Sequence, residues 1–114
     1  MRELYKRLMQ DFNTLDAENK DVELILRPYS KTMYGYYDPR KRRIVLYIYL
    51  DCGKSHLIPY PKLWDTFLHE LAHHLQYTTT NYVRTKGVMH NSGFYKILDS
   101  LKTKSNTLKL GGIH

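Results

Sequence analysis

Residues 61–77, PKLWDTFLHELAHHLQY, carry the pattern that decides how this chain is organised. Apolar side chains recur there at helical spacing, which predicts a helix that buries one stripe against the rest of the fold. The members of that stripe are Trp64, Phe67, Leu68, Leu71 and Leu75. Pro61 suits the first turn, where a backbone N–H has no helical partner. A different side of the same helix presents His69-Glu70-Leu71-Ala72-His73.

This H-E-x-x-H pattern indicates a metal site. Because four residues make about one helical turn, His69 and His73 project from one face and can bind a single ion, with Glu70 beside them. Zinc held there would bind a water and lower its pKa towards about 7, and Glu70 would accept the proton. The alternative interpretation is a pair of surface histidines on a polar helix face.

A catalytic zinc usually has three protein ligands, and elimination leaves few donors for the third. Glu70 is the last glutamate in the chain, and Thr79 stands where a histidine six residues beyond His73 would complete a longer motif. Three further donors are set aside. We expect His74 to point away from the site, Asp99 to be exposed and His114 to lie in the terminal tail. His90 precedes the last predicted helix, and we choose it as the third ligand.

The flanking sequence predicts two more helices and three strands. Helical spacing indicates an amphipathic helix from Arg2 to about Asp16, and Asn91 or Ser92 begins a last helix. Residues rich in β-branched and aromatic side chains predict strands at 22–27, 33–37 and 43–50. Residues 103–114 are expected to form a flexible basic tail. The order predicts one α+β domain over residues 1–114, with a three-stranded antiparallel sheet.

Composition excludes several classes of protein. The chain has 114 residues, 42% hydrophobic and 25% charged, which suits one globular domain. Its only cysteine, Cys52, excludes an internal disulfide and a zinc ribbon. Charged residues interrupt the first seven positions, and no stretch approaches the roughly 20 apolar residues of a membrane span. We therefore expect a soluble, cytoplasmic protein with no membrane partner.

The formal net charge of +7 is unevenly distributed. Residues 84–114 contain six basic residues and one acidic residue, whereas residues 1–38 contain six basic and seven acidic residues. Such a gradient suits an anionic partner, most directly nucleic acid. The run Arg40-Lys41-Arg42-Arg43 is the candidate for phosphate contacts. The alternative is a solvated hairpin turn that discourages aggregation at a sheet edge.

The two histidine motifs resemble a known family. His69-Glu70-Leu71-Ala72-His73, followed by His90-Asn91-Ser92-Gly93-Phe94, is similar to the signature of the SprT-like zinc metallopeptidases. The resemblance implies a minimal zincin-like domain with Zn²⁺ on His69, His73 and His90. It further implies that Glu70 is the catalytic base and that Phe94 packs the last helix. Many SprT-like proteins carry an additional zinc ribbon, which one cysteine cannot form.

Peptide hydrolysis would also need a surface that aligns the substrate and a donor for the oxyanion. In zincins an edge strand above the active-site helix adds the peptide as a further strand, and Arg43–Leu50 is our candidate. An ordinary core strand is the alternative, because apolar residues lie on both of its faces. The candidates for the oxyanion donor are Tyr77, Tyr82, His74 and Tyr95.

Two functional hypotheses follow from the sequence. In the first, the protein is a zinc metallopeptidase that hydrolyses peptide bonds with a zinc-bound water and Glu70 as general base. Its partners would be protein or peptide substrates, including proteins associated with DNA. In the second, it is a non-enzymatic, basic nucleic-acid-binding module in which zinc is structural or absent. The sequence does not indicate an oligomeric state.

Overall fold

A computed structural model describes residues 2–15, 20–78 and 92–113, with side chains described as far as residue 106. The helices and strands are, in chain order, α1 (Arg2–Thr14), β1 (Glu23–Arg27), β2 (Gly35–Asp38), β3 (Arg43–Tyr47), α2 (Tyr60–Thr78) and α3 (Ser92–Ile113). This order confirms the predicted α+β class with three helices and three strands. None of the described helices is long and apolar enough to cross a membrane.

The sheet is mixed, so the prediction of an antiparallel sheet is wrong for one of its two strand pairs. Its order is β1-β3-β2, with β2 antiparallel and β1 parallel to β3. The turn between β2 and β3 is tight and closes with Arg42 at a φ of 49°, which gives a hairpin. Residues 28–34 make a longer connection between β1 and β2. The two strands are not neighbours in the sheet, because β3 lies between them.

The helices pack on one face of the sheet. Buried residues from all three helices share one core with Leu24 of β1, with Ile44 and Leu46 of β3, and with Ile48 directly after β3. Tyr37 of β2 also packs against this core, and its ring contacts His74 of α2. The strand predicted at 43–50 is shorter in the structure: β3 ends at Tyr47, and Leu50 is 51% exposed.

Aromatic contacts hold α1 and α3 against α2. Phe12 of α1 meets Phe67 edge to face at 5.1 Å, and Trp64 stacks on Phe67 at 5.2 Å. On the α3 side, the Trp64 indole N–H donates a buried hydrogen bond of 2.7 Å to Ser105 Oγ. Because a buried indole N–H without a partner is costly, this bond favours a docked α3 at least as far as Ser105.

The last helix is longer than its sequence suggests. The sequence predicts a flexible tail at residues 103–114, whereas α3 continues to Ile113. Ser105 is only 4% exposed, so at least one position beyond residue 103 belongs to the packed helix. Flexibility of the segment beyond that point stays a prediction.

Candidate metal and catalytic site

The buried stripe of α2 orients its two motif histidines. His69 and His73 are half-buried, and their ring centroids are 5.0 Å apart with the planes at 75°. Two tetrahedral zinc–nitrogen bonds of about 2.1 Å would place imidazole centroids about 5 Å apart. The pair therefore fits the requirement for two ligands of one zinc ion.

Phe94 packs directly against both histidines. Its ring is 5.0 Å from that of His69 and stacks on that of His73 at 4.4 Å, and Phe94 itself is fully buried. This contact joins the first turn of α3 to the histidine face of α2. An aromatic wall limits the rotamers of both imidazoles and excludes water from one side of them.

Glu70 is a buried carboxyl group next to this pair. It is 8% exposed, and burial raises its pKa from an ordinary 4.5 to about 7. A carboxyl group with a pKa near neutrality can both accept and donate a proton at physiological pH. Among the described residues, Glu70 therefore has the environment that a general base requires.

His69 and Glu70 line a cleft of about 390 Å³ between α2, α3 and the start of β2. The remaining lining residues are Tyr34, Gly35, Lys62, Asp65, Thr66, Leu98 and Lys102. At its rim the Lys62 ammonium lies 4.9 Å from the centre of the Tyr34 ring. Through this cleft, a substrate in extended conformation can reach His69 and Glu70.

His74 is oriented away from the cleft. It is fully buried, and its Nδ1 shares a hydrogen bond of 2.8 Å with the Tyr37 hydroxyl. Its Nε2 has no hydrogen-bond partner among the described residues. Burial, reinforced by the positive charge of Arg42, lowers the pKa of His74 and keeps its ring neutral. Its packing role is clear, and it does not line the space beside Glu70.

The other candidate donors and ligands fall in different surroundings. Tyr77 is 47% exposed and lies 6.5 Å from the Tyr37 ring, and Tyr95 is 51% exposed beside Phe94. Tyr82 and His90 lie outside the described residues. Within the described ranges, no group of three His, Cys, Asp or Glu side chains could hold a metal ion. The assignment of His90 as third ligand thus stays a prediction.

The strand beside the cleft is β2. We expected the 43–50 strand to align a peptide, but β3 is the central strand and its backbone already pairs on both sides. β2 is an edge strand, and Gly35 at its start lines the cleft. The Tyr47 N–H donates to the Tyr34 carbonyl at 2.9 Å. Because antiparallel pairs alternate, the backbone N–H and C=O of Gly35 then point towards the open edge.

Sequence reasoning missed Gly35, although a glycine inside a strand is a recognisable signal of close backbone approach. A Cβ at this position would lie 2.7 Å from the Val45 carbonyl oxygen and 3.1 Å from Thr66 Cγ2. The residue therefore allows β2 to lie close to both β3 and α2. That approach places the open strand edge beside His69 and Glu70.

Two acidic residues, one just before β1 and one at its start, partly neutralise the positive charge of the 40–43 run. Arg42 pairs with Asp21 at 3.3 Å, and Arg43 pairs with Glu23 at 3.0 Å. In the same turn the backbone N–H groups of residues 40 and 41 donate to the Asp38 carboxylate. These contacts give the turn a structural role, and its contact with nucleic acid stays a prediction.

The fold is similar to that of a solved yeast protein. A structure of a Wss1 mutant from Saccharomyces cerevisiae matches 98% of this chain and 82% of its own, with a TM-score of 0.67 and 20% sequence identity. A second structure of Wss1 from the same yeast matches with a TM-score of 0.63 and 21% identity, over 96% and 79% of the two chains. No protein-family model and no curated protein sequence matches the chain. At this identity the likeness shows the fold alone: this chain shares the fold of the two Wss1 structures.

Proposed function

We propose that this protein is a zinc-dependent metallopeptidase of the SprT-like class. The observation that carries the proposal is the close pairing of the His69 and His73 rings, together with the cleft that His69 shares with the buried Glu70. His90 would complete the ligand set. The resemblance of the two motifs to SprT-like peptidases and the fold likeness to Wss1 both support this function.

Glu70 would act as the general base. Zinc bound to the histidines would supply Lewis acidity that activates a water molecule and polarises the scissile carbonyl. The Glu70 carboxylate would take a proton from the attacking water and return it to the amine that leaves. Positive charge held beside the carboxyl group favours its ionised form, which opposes the effect of burial on its pKa.

The open edge of β2 would align the substrate. A peptide in extended conformation can pair with the backbone N–H and C=O of Gly35 and so lie along the cleft. This arrangement uses the edge of β2 on which none of the described strands pairs, whereas Arg43–Leu50 contains the central strand β3. Tyr77, Tyr82 and Tyr95 remain our candidates for the oxyanion donor, because His74 is buried against Tyr37.

The proposed substrates are proteins, including proteins associated with DNA. The proposal of DNA-associated substrates is supported by the net charge of +7 and by the SprT-like resemblance. An extended, locally unfolded segment would be cleaved most readily, since strand addition at β2 needs a peptide whose backbone is free.

The test measures metal content and proteolysis in the same preparations. We expect about one zinc ion per wild-type chain and loss of that zinc in His69→Ala and His90→Ala. Glu70→Gln should retain zinc but lose cleavage of unfolded casein. His56→Ala is the matched control, because this histidine is 75% exposed in a loop away from the cleft.

Two results would contradict the proposal. One is a purified wild-type protein without stoichiometric zinc that also fails to bind added zinc. The other is casein cleavage by Glu70→Gln at the wild-type rate. DNA binding that survives chelation, with no cleavage of any unfolded protein, would instead support the non-enzymatic binding module.

A further inference from the structure

A second cavity lies at the end of the sheet where β2 begins. Its volume is about 230 Å³, and it is enclosed by the connection before β2 and by residues 49 and 50 after β3. We call it the aromatic hollow, because three tyrosines line it together with two apolar residues: Tyr29, Tyr34, Tyr49, Met33 and Leu50. The proposed catalytic chemistry makes no use of this cavity.

Exposed apolar side chains gather around the aromatic hollow. Met33 is 43% exposed, and Tyr34 and Leu50 are each 51% exposed. Large apolar side chains that are exposed together around a concavity indicate a site for an apolar ligand. Because a cavity of about 150 Å³ is enough to hold benzene, the hollow has room for one aromatic side chain.

Backbone hydrogen bonds fix the walls of the hollow. The Tyr47 N–H donates to the Tyr34 carbonyl at 2.9 Å, and the Tyr49 N–H donates to the Pro28 carbonyl at 2.8 Å. These two bonds tie both ends of the 28–34 connection to β3 and to the residues that follow it. The hollow is thus already formed in the absence of a ligand, which lowers the cost of filling it.

Tyr34 joins the hollow to the cleft beside Glu70. It lines both cavities, and the centre of its ring lies 4.9 Å from the Lys62 ammonium at the rim of the cleft. The next residue is Gly35, whose backbone would pair with a substrate. Residues of an extended peptide are about 3.3 Å apart, so a substrate residue two positions beyond the one opposite Gly35 lies about level with Met33. A peptide aligned by β2 therefore extends from the cleft to the hollow.

We propose that the aromatic hollow is a specificity pocket that binds one aromatic side chain of the peptide substrate. This inference rests on the proposed peptidase function, because the occupant is the peptide that β2 would align. Tyrosine rings make edge-to-face and stacked contacts with another ring, and the Met33 thioether adds a sulfur–aromatic contact.

The charge of the lining favours the same occupant. Among the described residues that line the hollow, Lys31 is the only charged one. A basic substrate side chain would be repelled by it, and an acidic side chain would lose hydration against the tyrosine rings. Phenylalanine, tyrosine and tryptophan are therefore the residues that fit the hollow.

The first experiment measures kcat/KM for fluorogenic peptides in which a single phenylalanine is moved through a sequence of alanine and serine. At one position, phenylalanine should raise kcat/KM about tenfold over alanine, because burial of an aromatic side chain contributes about that much. Leu50→Ala removes part of the apolar wall and should reduce the preference to about threefold or less. Leu57→Ala is the matched control and should keep the preference, because this leucine is 57% exposed and does not line the hollow.

A second experiment reports on the hollow without any cleavage. NMR spectra of isotope-labelled methionine methyl groups are recorded for the wild-type chain in EDTA, with the phenylalanine peptide and with its alanine counterpart. Only the phenylalanine peptide should shift the Met33 resonance, which Met33→Leu identifies. The Met9 methyl group, which packs against the core on α1, should not respond. A Met33 shift without cleavage of any peptide would support the pocket although the peptidase function had failed.

Several results would overturn the proposal. One is an equal kcat/KM for phenylalanine and alanine at every position, and another is a Met33 resonance that does not respond to the phenylalanine peptide. A preference for glutamate that Lys31→Gln abolishes would assign the hollow to an acidic side chain. A Met33 shift that appears on raising the protein concentration alone would assign it to a second copy of the chain.

Discussion

We predict that Glu70→Gln stabilises the metal-free protein above neutral pH. In the folded chain Glu70 is 8% exposed, and its pKa is about 7 instead of 4.5. Each unit of pKa difference corresponds to about 1.4 kcal/mol, so holding the ionised carboxylate in this site costs about 3 kcal/mol. Glutamine has the same shape and no charge to desolvate.

The sign follows from the raised pKa. Between pH 4.5 and about 7 the unfolded chain has lost the Glu70 proton while the folded chain keeps it, so folding takes up a proton. The wild-type free energy of unfolding therefore falls as pH rises through this window. The Gln variant lacks this titration, so its advantage is near zero at pH 4 and reaches about 3 kcal/mol at pH 8.

Urea unfolding followed by circular dichroism, in EDTA at both pH values, measures this difference. Asp65→Asn is the control, because Asp65 is an exposed carboxylate on the same helix. Saturating zinc should reduce the difference, since positive charge beside the carboxylate favours its ionised form. A Glu70→Gln effect that is the same at pH 4 and pH 8, or a variant less stable than wild type at pH 8, would refute this reasoning.

Three other substitutions test the supports of the site. Gly35→Ala should lower the free energy of unfolding by about 2 kcal/mol or more, because the new Cβ would lie 2.7 Å from a backbone oxygen; a wild-type urea midpoint would contradict the close approach of β2. Tyr37→Phe should cost about 1–3 kcal/mol at pH 7, because His74 Nδ1 loses its buried partner, and a change within 0.3 kcal/mol would argue against that hydrogen bond. Phe94→Ala should cost about 3–5 kcal/mol and weaken zinc binding in competition with a chromophoric chelator; unchanged zinc affinity in a folded variant would show that the ring does not position the histidines.

Periodic local patterns predicted the parts of this fold that depend on local spacing. The 3.6-residue repeat around Trp64 and Phe67 gave α2 its buried stripe, and the same repeat gave α1. The direction in which β1 pairs with β3 was not predictable in this way, because the alternation of apolar residues is the same in parallel and antiparallel pairs. Apolar residues on both faces of the Arg43–Leu50 segment were a signal of a central strand, and β3 does lie between its two neighbours. Gly35 could have been interpreted as a point of close approach.

The site was predictable to the extent that it lies on one helix. The four-residue spacing of His69 and His73 is sufficient to place two rings on one face, and the structure has them 5.0 Å apart. Burial of Glu70 is a property of the folded chain and not of the helix alone, so its raised pKa could not be anticipated from local spacing. The length of α3 was underestimated because lysines and glycines after residue 102 resemble a tail, whereas Ser105 is held by Trp64.

The buried bond between Tyr37 and His74 has a consequence for which metal complexes can form. Three histidines stand close together on α2, and an unstructured peptide of this sequence would offer an ion several competing pairs of imidazoles. In the folded chain the core retains the ring of His74, neutral and bonded to a tyrosine from the neighbouring strand. On α2, folding thus leaves His69 and His73 as the pair of rings available to the proposed zinc ion, because the core withholds the third histidine.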